Sequence, residues 1–322
     1  MKSLAIAALV ALSIVVQGGA HAQPYPNRPV RIVVPFPAGG GTDVPARLIA
    51  AELSQRLGQQ VIVENRPGAG GNLGSDVVAK APKDGYTLLM GTVNITSINP
   101  LLYPSMPFDP VTDLAPISLT AIAPNVFVVG AEGSIASFED LLRTAKAEPG
   151  RLTFASAGSG TTLHLAGELV KTMAGVDMVH VPYKGAPVAL PDVMTGKVTG
   201  MFIAVPAAIT LIKGGRLRAL AVSGTSRVPA LPDVRTVEEA GLKGFDAVAW
   251  HGLFATGGTP ADVIAKLNAE VVAILAKPEI RTRMQELGLQ VVSSTPAELA
   301  RAVVTDREKW ADVVRRSGAK LD

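Results

Sequence analysis

From Val30 onward the chain alternates short apolar runs with stretches of helical apolar spacing, and it does so in two rounds. In the first, "VRIVVPF" precedes a segment where Ala46, Ile49, Ala50, Leu53 and Leu57 recur three or four residues apart. "QQVIVENR", "GAGGNLGSDVVAKA" and "YTLLMGT" complete a strand–helix–strand–helix–strand order. Such alternation needs crossover helices and predicts a mostly parallel, doubly wound α/β sheet. "FDPVTDLAPISLTAIAPNVFVVGA" then breaks the pattern with spaced prolines and a long apolar stretch without helical period, and reads as a crossing out of the first lobe. The second round runs "LTFASAG", "TTLHLAGELVKTMAG", "VDMVHVPYKG", "APVALPDVMTGK", "VTGMFIAV", "PAAITLIKGG" and "LRALAVSG". "ALPDVRTVEEAGLKGFDAVAWHGLFATGG" is extended and punctuated by Pro and Gly, as a return crossing would be. Helices follow, the first opened by Thr259 or Pro260 as cap and first turn. A chain of 322 residues is long enough to give each of two lobes its own core.

The first 22 residues stand apart. Lys2, an apolar run from Leu4 to Val16, and the small-x-small Ala20-His21-Ala22 before "QPYP" make a cleavable secretory signal peptide. The run is too short for a membrane helix, and no other stretch is long and apolar enough to span a bilayer. The chain has no cysteine, so it offers no disulfide, no thiolate nucleophile and no lipidated N-terminal Cys. These features predict a freely diffusing protein in the periplasm of a two-membrane bacterium, not a lipoprotein. The 30 Lys and Arg nearly balance 27 Asp and Glu, with no basic run interleaved with aromatics. A nucleic-acid partner is therefore excluded.

"VVPFPAGGGTDVPARL", Val33 to Leu48, carries the chemistry. Glycines let the backbone turn tightly and bring bare N–H groups close to a guest. The first N–H groups of the following helix lack intrahelical partners, and the helix dipole favours an anion there by about 0.3–2 kcal/mol. The same residues also suit a tight βα turn with Thr42 or Asp43 as N-cap and Pro45 in the first turn. The second lobe repeats the arrangement, with "LTFAS", the turn "AGSG", Thr161 and Thr162, then a helix. Thr42 and Thr161 thus hold analogous places. Ligands of open α/β sheets sit outside the carboxyl ends of strands, so two such ends facing one cleft make a clamp.

Competing motifs fail when counted out. Gly39-Gly40-Gly41-Thr42-Asp43-Val44 and Gly68-Ala69-Gly70-Gly71-Asn72-Leu73 both lack the last glycine of G-x-G-x-x-G, and Gly196-Lys197 is followed by Val198, so no phosphate loop exists. "AGSGT" sets Gly158 directly before Ser159 and is not G-x-S-x-G; "SGAK" at the polar C-terminus has no companion motif. His164 and Glu168 share a helix face, but two residues without a third ligand do not make a zinc site. His164 reads as a helix residue bonded to backbone or Glu168, and His180 as a core residue of an apolar strand. His251, after Trp250 on the return crossing, reads equally as core or as cleft lining. Asn94-Ile95-Thr96 spells a glycosylation acceptor, which means little in a bacterial protein. No cofactor, no metal and no enzyme are expected. The inventory of backbone donors, hydroxyls and flexible crossings is that of a binder.

"YPNRPVRIVVPFPAGGGTDVPARLIAAELSQRLGQQVIVENRPGAGG", "APKDGYTLLMGT", "MPFDPVTDLAPIS", "FASAGSGTTLHLAGEL", "HVPYKG", "GRLRALAVSG" and "GTPADVIAKLNAEV" follow one another in order. Together they closely resemble the tripartite tricarboxylate transporter substrate-binding proteins, also called the Bug receptors, over essentially the whole mature chain. The resemblance implies a two-lobed, flytrap-like periplasmic-binding-protein fold of type II. Each lobe would be a mostly parallel sheet flanked by helices, with two crossover strands as hinge. Residues 23–122 plus about 228–322 would form lobe 1, and 123–227 lobe 2. It also implies a monomer that holds a small organic carboxylate through backbone N–H groups, hydroxyls and water. A large and a small membrane subunit would then import the cargo on an ion gradient.

Carried over by position, lobe-one contacts fall on Phe36, Ala38, Gly39, Gly40 and Asp43, with Asn72 and Thr92 at neighbouring strand ends. Lobe-two contacts fall on Ser156, Gly158, Ser159, Gly160, Thr161 and Thr162, with Tyr183 flooring the pocket. Two departures stand out. Ile203-Ala204 replaces the acidic or amide pair that the family often has after its "MF" strand, and Gly160-Thr161 replaces a turn closer to Gly-Ser. An apolar wall there leaves an ammonium group unneutralised. The expected ligand is a carboxylate with an apolar or aromatic body rather than an amino acid. The same clamp would serve a ligand-sensing adaptor for a membrane sensor kinase; an exported hydrolase would need a nucleophile–base pair that the chain does not offer.

Overall fold

The computed structural model describes residues 25–319, so the expected signal peptide lies outside the described residues. Two sheets form. The first has the order β11-β4-β10-β3-β1-β2, with β11 the short strand Gln290–Val291, and the second β7-β6-β8-β5-β9. In the first, β1 (Val30–Val34) lies parallel to both β2 (Val61–Asn65) and β3 (Thr87–Thr92). Between them α1 (Asp43–Leu57) buries Ala46, Ile49, Ala50 and Leu53 on the sheet, and Gly58 ends it in the left-handed region at φ 64°. Ala46, Ile49, Ala50 and Leu53 fall on one helical stripe, which is why the helix docks there.

In the second sheet β6 (Thr153–Ser156) lies parallel to β7 (Val179–Pro182) and β8 (Gly200–Ala204). Two helices pack on one of its faces: α6 (Ala186–Met194) and α7 (Val205–Lys213). On the other lies α5 (Thr162–Ala174), built around Phe154, Leu165 and Val170. Phe127, Phe138 and Phe202 pack edge-on in that core.

The crossings run against the parallel strands. β4 (Leu114–Ala123) belongs to the first sheet and, after Pro124, continues as β5 (Asn125–Gly130) in the second. The return leaves β9 (Leu217–Val222) and re-enters the first sheet as β10 (Ala249–Thr256). β10 is antiparallel to β3 and β4, and β5 is antiparallel to β8 and β9. Both sheets are therefore mixed, where alternation alone predicts mostly parallel pairing. Strands joined by direct crossings enter without a crossover helix to turn them around. At the junction the crossings are tied together: Ser223 donates to the Asn125 carbonyl (2.8 Å), Ala247 to the Ser223 carbonyl (3.0 Å), and Ser223 Oγ takes the Asn125 N–H (3.0 Å).

The C-terminal helix α10 (Pro296–Ser317) starts with a capping box in which Thr295 and Glu298 satisfy each other's backbone N–H. It packs on β4 of the first sheet and on α5 of the second, so its buried Trp310 belongs to a core shared by both. Among the described residues no helix is long and apolar enough to cross a membrane.

Candidate functional site

The carboxyl ends of β1, β3 and β6 and the hinge strands enclose a cavity of about 610 Å³ between the sheets. Phe36, Ala38, Gly39, Gly40 and Thr92 line it from the first lobe, and Ser159, Gly160, Thr161, Thr162 and Ala204 from the second. These ten of the sequence-predicted residues share one cavity although up to 168 positions separate them (Phe36 to Ala204).

The β1–α1 loop is held open by its own helix. Asp43 is buried, and its carboxylate accepts from the Gly39 N–H, Arg47 Nε and Asn65 Nδ2, each at 2.9 Å. Burial opposes its ionisation, yet those donors hold the carboxyl below its ordinary range. Among the described residues the N–H groups of Gly40, Gly41 and Thr42 meet no protein acceptor, and all three residues line the cavity.

The second loop is built differently. Thr161 is the N-cap of α5: its Oγ1 accepts from the His164 N–H at 3.3 Å and donates to the Gly158 carbonyl at 2.8 Å. Gly160 donates its N–H to His164 Nδ1 at 3.0 Å. Thr162 and Leu163, at the start of α5, line the cavity with first-turn N–H groups that no intrahelical carbonyl can meet.

Six residues carried over to the site stand behind the cavity instead. Asp43 serves the loop, as described. Asn72 is buried and accepts from Asn99 Nδ2 at 2.7 Å, so Asn99 reaches the wall and Asn72 props it. Ser156 is fully buried; its Oγ takes the Gly158 N–H at 3.1 Å and lies 2.7 Å from His180 Nε2. Gly158, at φ 129°, supplies the carbonyl that Thr161 binds. Tyr183 does not floor the pocket, because its hydroxyl is drawn to Asp192 at 2.6 Å. Ile203 faces the core under α6 and α7, since alternation along β8 turns only Ala204 to the cavity.

The histidines are more informative than their sequence context. His164 does bond backbone, and its Nε2 lies 3.8 Å from Glu168 Oε1. His180 is not a core residue: β7 is an edge strand, and the ring stacks on His164 with centroids 3.8 Å apart. His251 lines the cavity, with Nε2 at 3.4 Å from Thr42 Oγ1. Burial alone pushes its imidazole down to about 4.

Sequence reading missed Gly70, Asn94, Asn99, Tyr103 and Lys184, all in the wall. Asn94 opens a π-helical turn (Asn94–Ile98) after β3 and Asn99 opens α3 (Asn99–Leu102), into which it runs, a departure no spacing announces. Asn94 Nδ2 reaches the Gly160 carbonyl of the other lobe at 3.4 Å. Lys184 was legible in "VPYKG", one residue beyond Tyr183, and is exposed at the rim. Among the described residues no Asp or Glu lines the cavity, and no cluster of three metal-ligating side chains occurs.

Comparison with known proteins agrees with this geometry. The family model described as "Tripartite tricarboxylate transporter family receptor" matches residues 45–319. Protein BugT of Bordetella pertussis is 36% identical over 301 residues, covering 93% of this chain and 92% of its own. Rpa4515 of R. palustris, solved with adipate, superposes with a TM-score of 0.86 at 37% identity, over 92% of this chain and 100% of that one. MatC of Rhodopseudomonas palustris, solved with bound malate, gives 0.81 at 35% identity, over 90% and 100%.

Proposed function

Because this chain belongs to the tripartite tricarboxylate transporter receptor family, we propose that its cavity captures a small carboxylate-bearing solute for such a transporter. The observation that carries this reading is the pairing of two helix starts, α1 and α5, on one cavity that holds no acidic side chain. Backbone N–H groups and the hydroxyls of Thr161 and Thr162 supply preorganised donors for an anion. The apolar share of the wall, with Phe36, Ala38, Val188 and Ala204, suits a carbon chain and leaves an ammonium group unmatched. Adipate and malate, held by two relatives, are carboxylates of this kind.

On this reading the lobes are residues 23–122 with about 228–322, and 123–227, and they close about the crossings at Pro124 and Ser223–Ala247. Closure is favoured because the ligand gains contacts from the second lobe only when the cleft shuts. The protein acts in the periplasm as a monomer, turns nothing over, and presents its closed form to a large and a small membrane subunit.

A thermal-shift screen against mono-, di- and hydroxycarboxylic acids tests the reading. A ligand present at a hundred times its Kd stabilises the folded protein by about 2.7 kcal/mol, a shift of several degrees. Stabilisation by no acid would reject it, and stabilisation by glutamate or aspartate alone would reject a ligand without an ammonium group.

A further inference from the structure

The turn that begins α5 hangs on two imidazoles. Gly160, which lines the cavity, donates its N–H to His164 Nδ1 at 3.0 Å. Gly158 donates its N–H to Ser156 Oγ at 3.1 Å, and that oxygen lies 2.7 Å from His180 Nε2. The two rings stack with centroids 3.8 Å apart and 17° between their planes. His164 is 4% exposed, whereas His180 is half-buried on its edge strand and within reach of solvent protons.

These bonds fix what each ring can carry. A protonated ring nitrogen donates and cannot accept, so His164 Nδ1 holds Gly160 only while it bears no proton. His180 is under no such restriction. The Ser156 hydroxyl donates to a bare Nε2 and accepts from a protonated one, so His180 takes up a proton without losing its partner. A charge on His180 then opposes a second charge 3.8 Å away on His164.

The charged groups around the pair leave this coupling in place. Glu168 Oε1, 3.8 Å from His164 Nε2, favours an imidazolium, but it is shared with Lys171 Nζ at 3.0 Å. Burial pushes the Glu168 carboxyl up toward its neutral form, Lys171 opposes that, and Asp177 adds to it. β6 and β8, which also pack on α5, carry no titratable side chain. On α10 the half-buried charged residues Asp306, Lys309 and Asp312 are held by Trp250, Asp246 and Arg315.

We infer that His164 and His180 are positioning residues that tie the ligand affinity of the cavity to pH. The second loop keeps its binding shape only while His164 is neutral, and His180, by taking the first proton, guards that state. Acid strong enough to force a proton onto His164 releases the Gly160 N–H and weakens binding. An imidazolium acting simply as a counter-charge would draw the anion closer, so the two roles have opposite signs on the pH axis. The inference rests on the carboxylate-receptor reading and adds to it a proton-sensitive latch behind the loop.

Calorimetry on the mature protein with adipate and with malate, between about pH 8 and 5, tests it. Wild-type binding is expected to weaken about threefold to tenfold toward the acid end, the value of one hydrogen bond. His164→Asn sets an amide oxygen in the place of Nδ1 and cannot be protonated. It should bind like the wild type near neutral pH and change in acid only as the ligand's own ionisation dictates. His180→Phe keeps a stacked ring but removes the guard, so its affinity should fall at a higher pH than that of the wild type. A wild-type profile that coincides with either variant's, or an affinity that rises in acid, would overturn the inference and leave the receptor reading intact. Should a variant fail to fold, imidazole nitrogen NMR of the wild type decides. His180 is expected to take up its proton first, with His164 Nδ1 bare in the ligand-bound protein; a proton on that nitrogen in the bound protein near neutral pH would overturn the inference. No binding of any acid at any pH would remove the carboxylate reading and the latch with it.

Discussion

Asn94 of the first lobe reaches Gly160 of the second, with its Nδ2 at 3.4 Å from the carbonyl oxygen. The donor sits on the π-helical turn after β3 and the acceptor in the loop before α5, so the contact spans the mouth of the cavity. Such a contact exists only when the lobes stand close and adds to the closed side of the hinge equilibrium. Replacing Asn94 by Ala is expected to weaken ligand binding about threefold to tenfold, the value of one hydrogen bond. Small-angle scattering should show a larger radius for the variant at subsaturating ligand. Unchanged affinity and radius would show that Asn94 takes no part in closure.

Thr161→Ala should weaken carboxylate binding more than Lys184→Ala. Thr161 caps α5 and ties the Gly158 carbonyl, a function whose loss costs about 1 kcal/mol in stability alone, whereas Lys184 is exposed at the rim. Gly40→Val is expected to act like Thr161→Ala, because a Cβ at Gly40 would stand 3.3 Å from the Pro37 carbonyl, so the loop must give by a few tenths of an ångström, and the branched side chain would crowd the cavity that Gly40 lines. Calorimetry on the three variants checks the order. A Lys184 variant that alone lost binding would show that a point charge, not the loops, holds the anion.

His164 fixes the second loop by accepting the Gly160 N–H, and it is itself stacked on His180. His164→Phe keeps the ring but removes the acceptor. Binding is expected to weaken by about tenfold, and amide exchange at Gly160 to accelerate while the rest of α5 stays protected. If exchange at Gly160 is unaltered, the imidazole does not set the loop.

Asp43→Ala should destabilise the protein and loosen the first loop together, since the carboxylate accepts from Gly39, Arg47 and Asn65 and is what ties the Gly39 N–H to that cluster. A loss of about 2–4 kcal/mol is expected for a buried carboxylate whose donors are left unmet. Its carboxyl is held below the ordinary 3.8, so the stability it lends is whole above that pH and fades as pH falls below it. Denaturant melts of the variant and the wild type at neutral pH measure the difference.

His251 shifts the same way on the pH axis but in a higher window. Its folded value lies near 4 against 6.5 when unfolded. Above pH 6.5 neither state holds the proton. Between 6.5 and about 4 the unfolded chain takes up a proton that the folded chain refuses, so stability falls as the solution is acidified, by on the order of 3 kcal/mol in all. His251→Gln should flatten this part of the profile in urea melts. A wild-type profile already flat across that window would contradict the burial of a neutral ring.

The paired glycine and hydroxyl loops were legible because their chemistry is local. Gly39, Gly40, Thr161 and Thr162 follow strands and precede helices, and strand–turn–helix order puts such residues at a sheet's carboxyl edge. Ile203 and Ala204 show the limit of that reasoning. Both sit at the end of β8, and only the pleat decides which of the two meets the cavity. Asn72 and Tyr183 stood at plausible strand and helix ends, yet each is turned away by a partner, Asn99 or Asp192, whose position the sequence does not give.

The sequence by itself determined the two rounds of strand and helix, the crossings between them, the family, and the two loops that begin α1 and α5. Local periodicity and turn residues encode those features. The tertiary structure alone decided that Asp43 would be spent inside its own loop, that His164 and His180 would stack, and that Thr92 and His251 would stand opposite one another with unmet polar atoms. Asn65 comes to Asp43 from 22 residues away, His180 to His164 from 16 and His251 to Thr92 from 159, so each outcome depends on sheet register and on which strands are brought side by side.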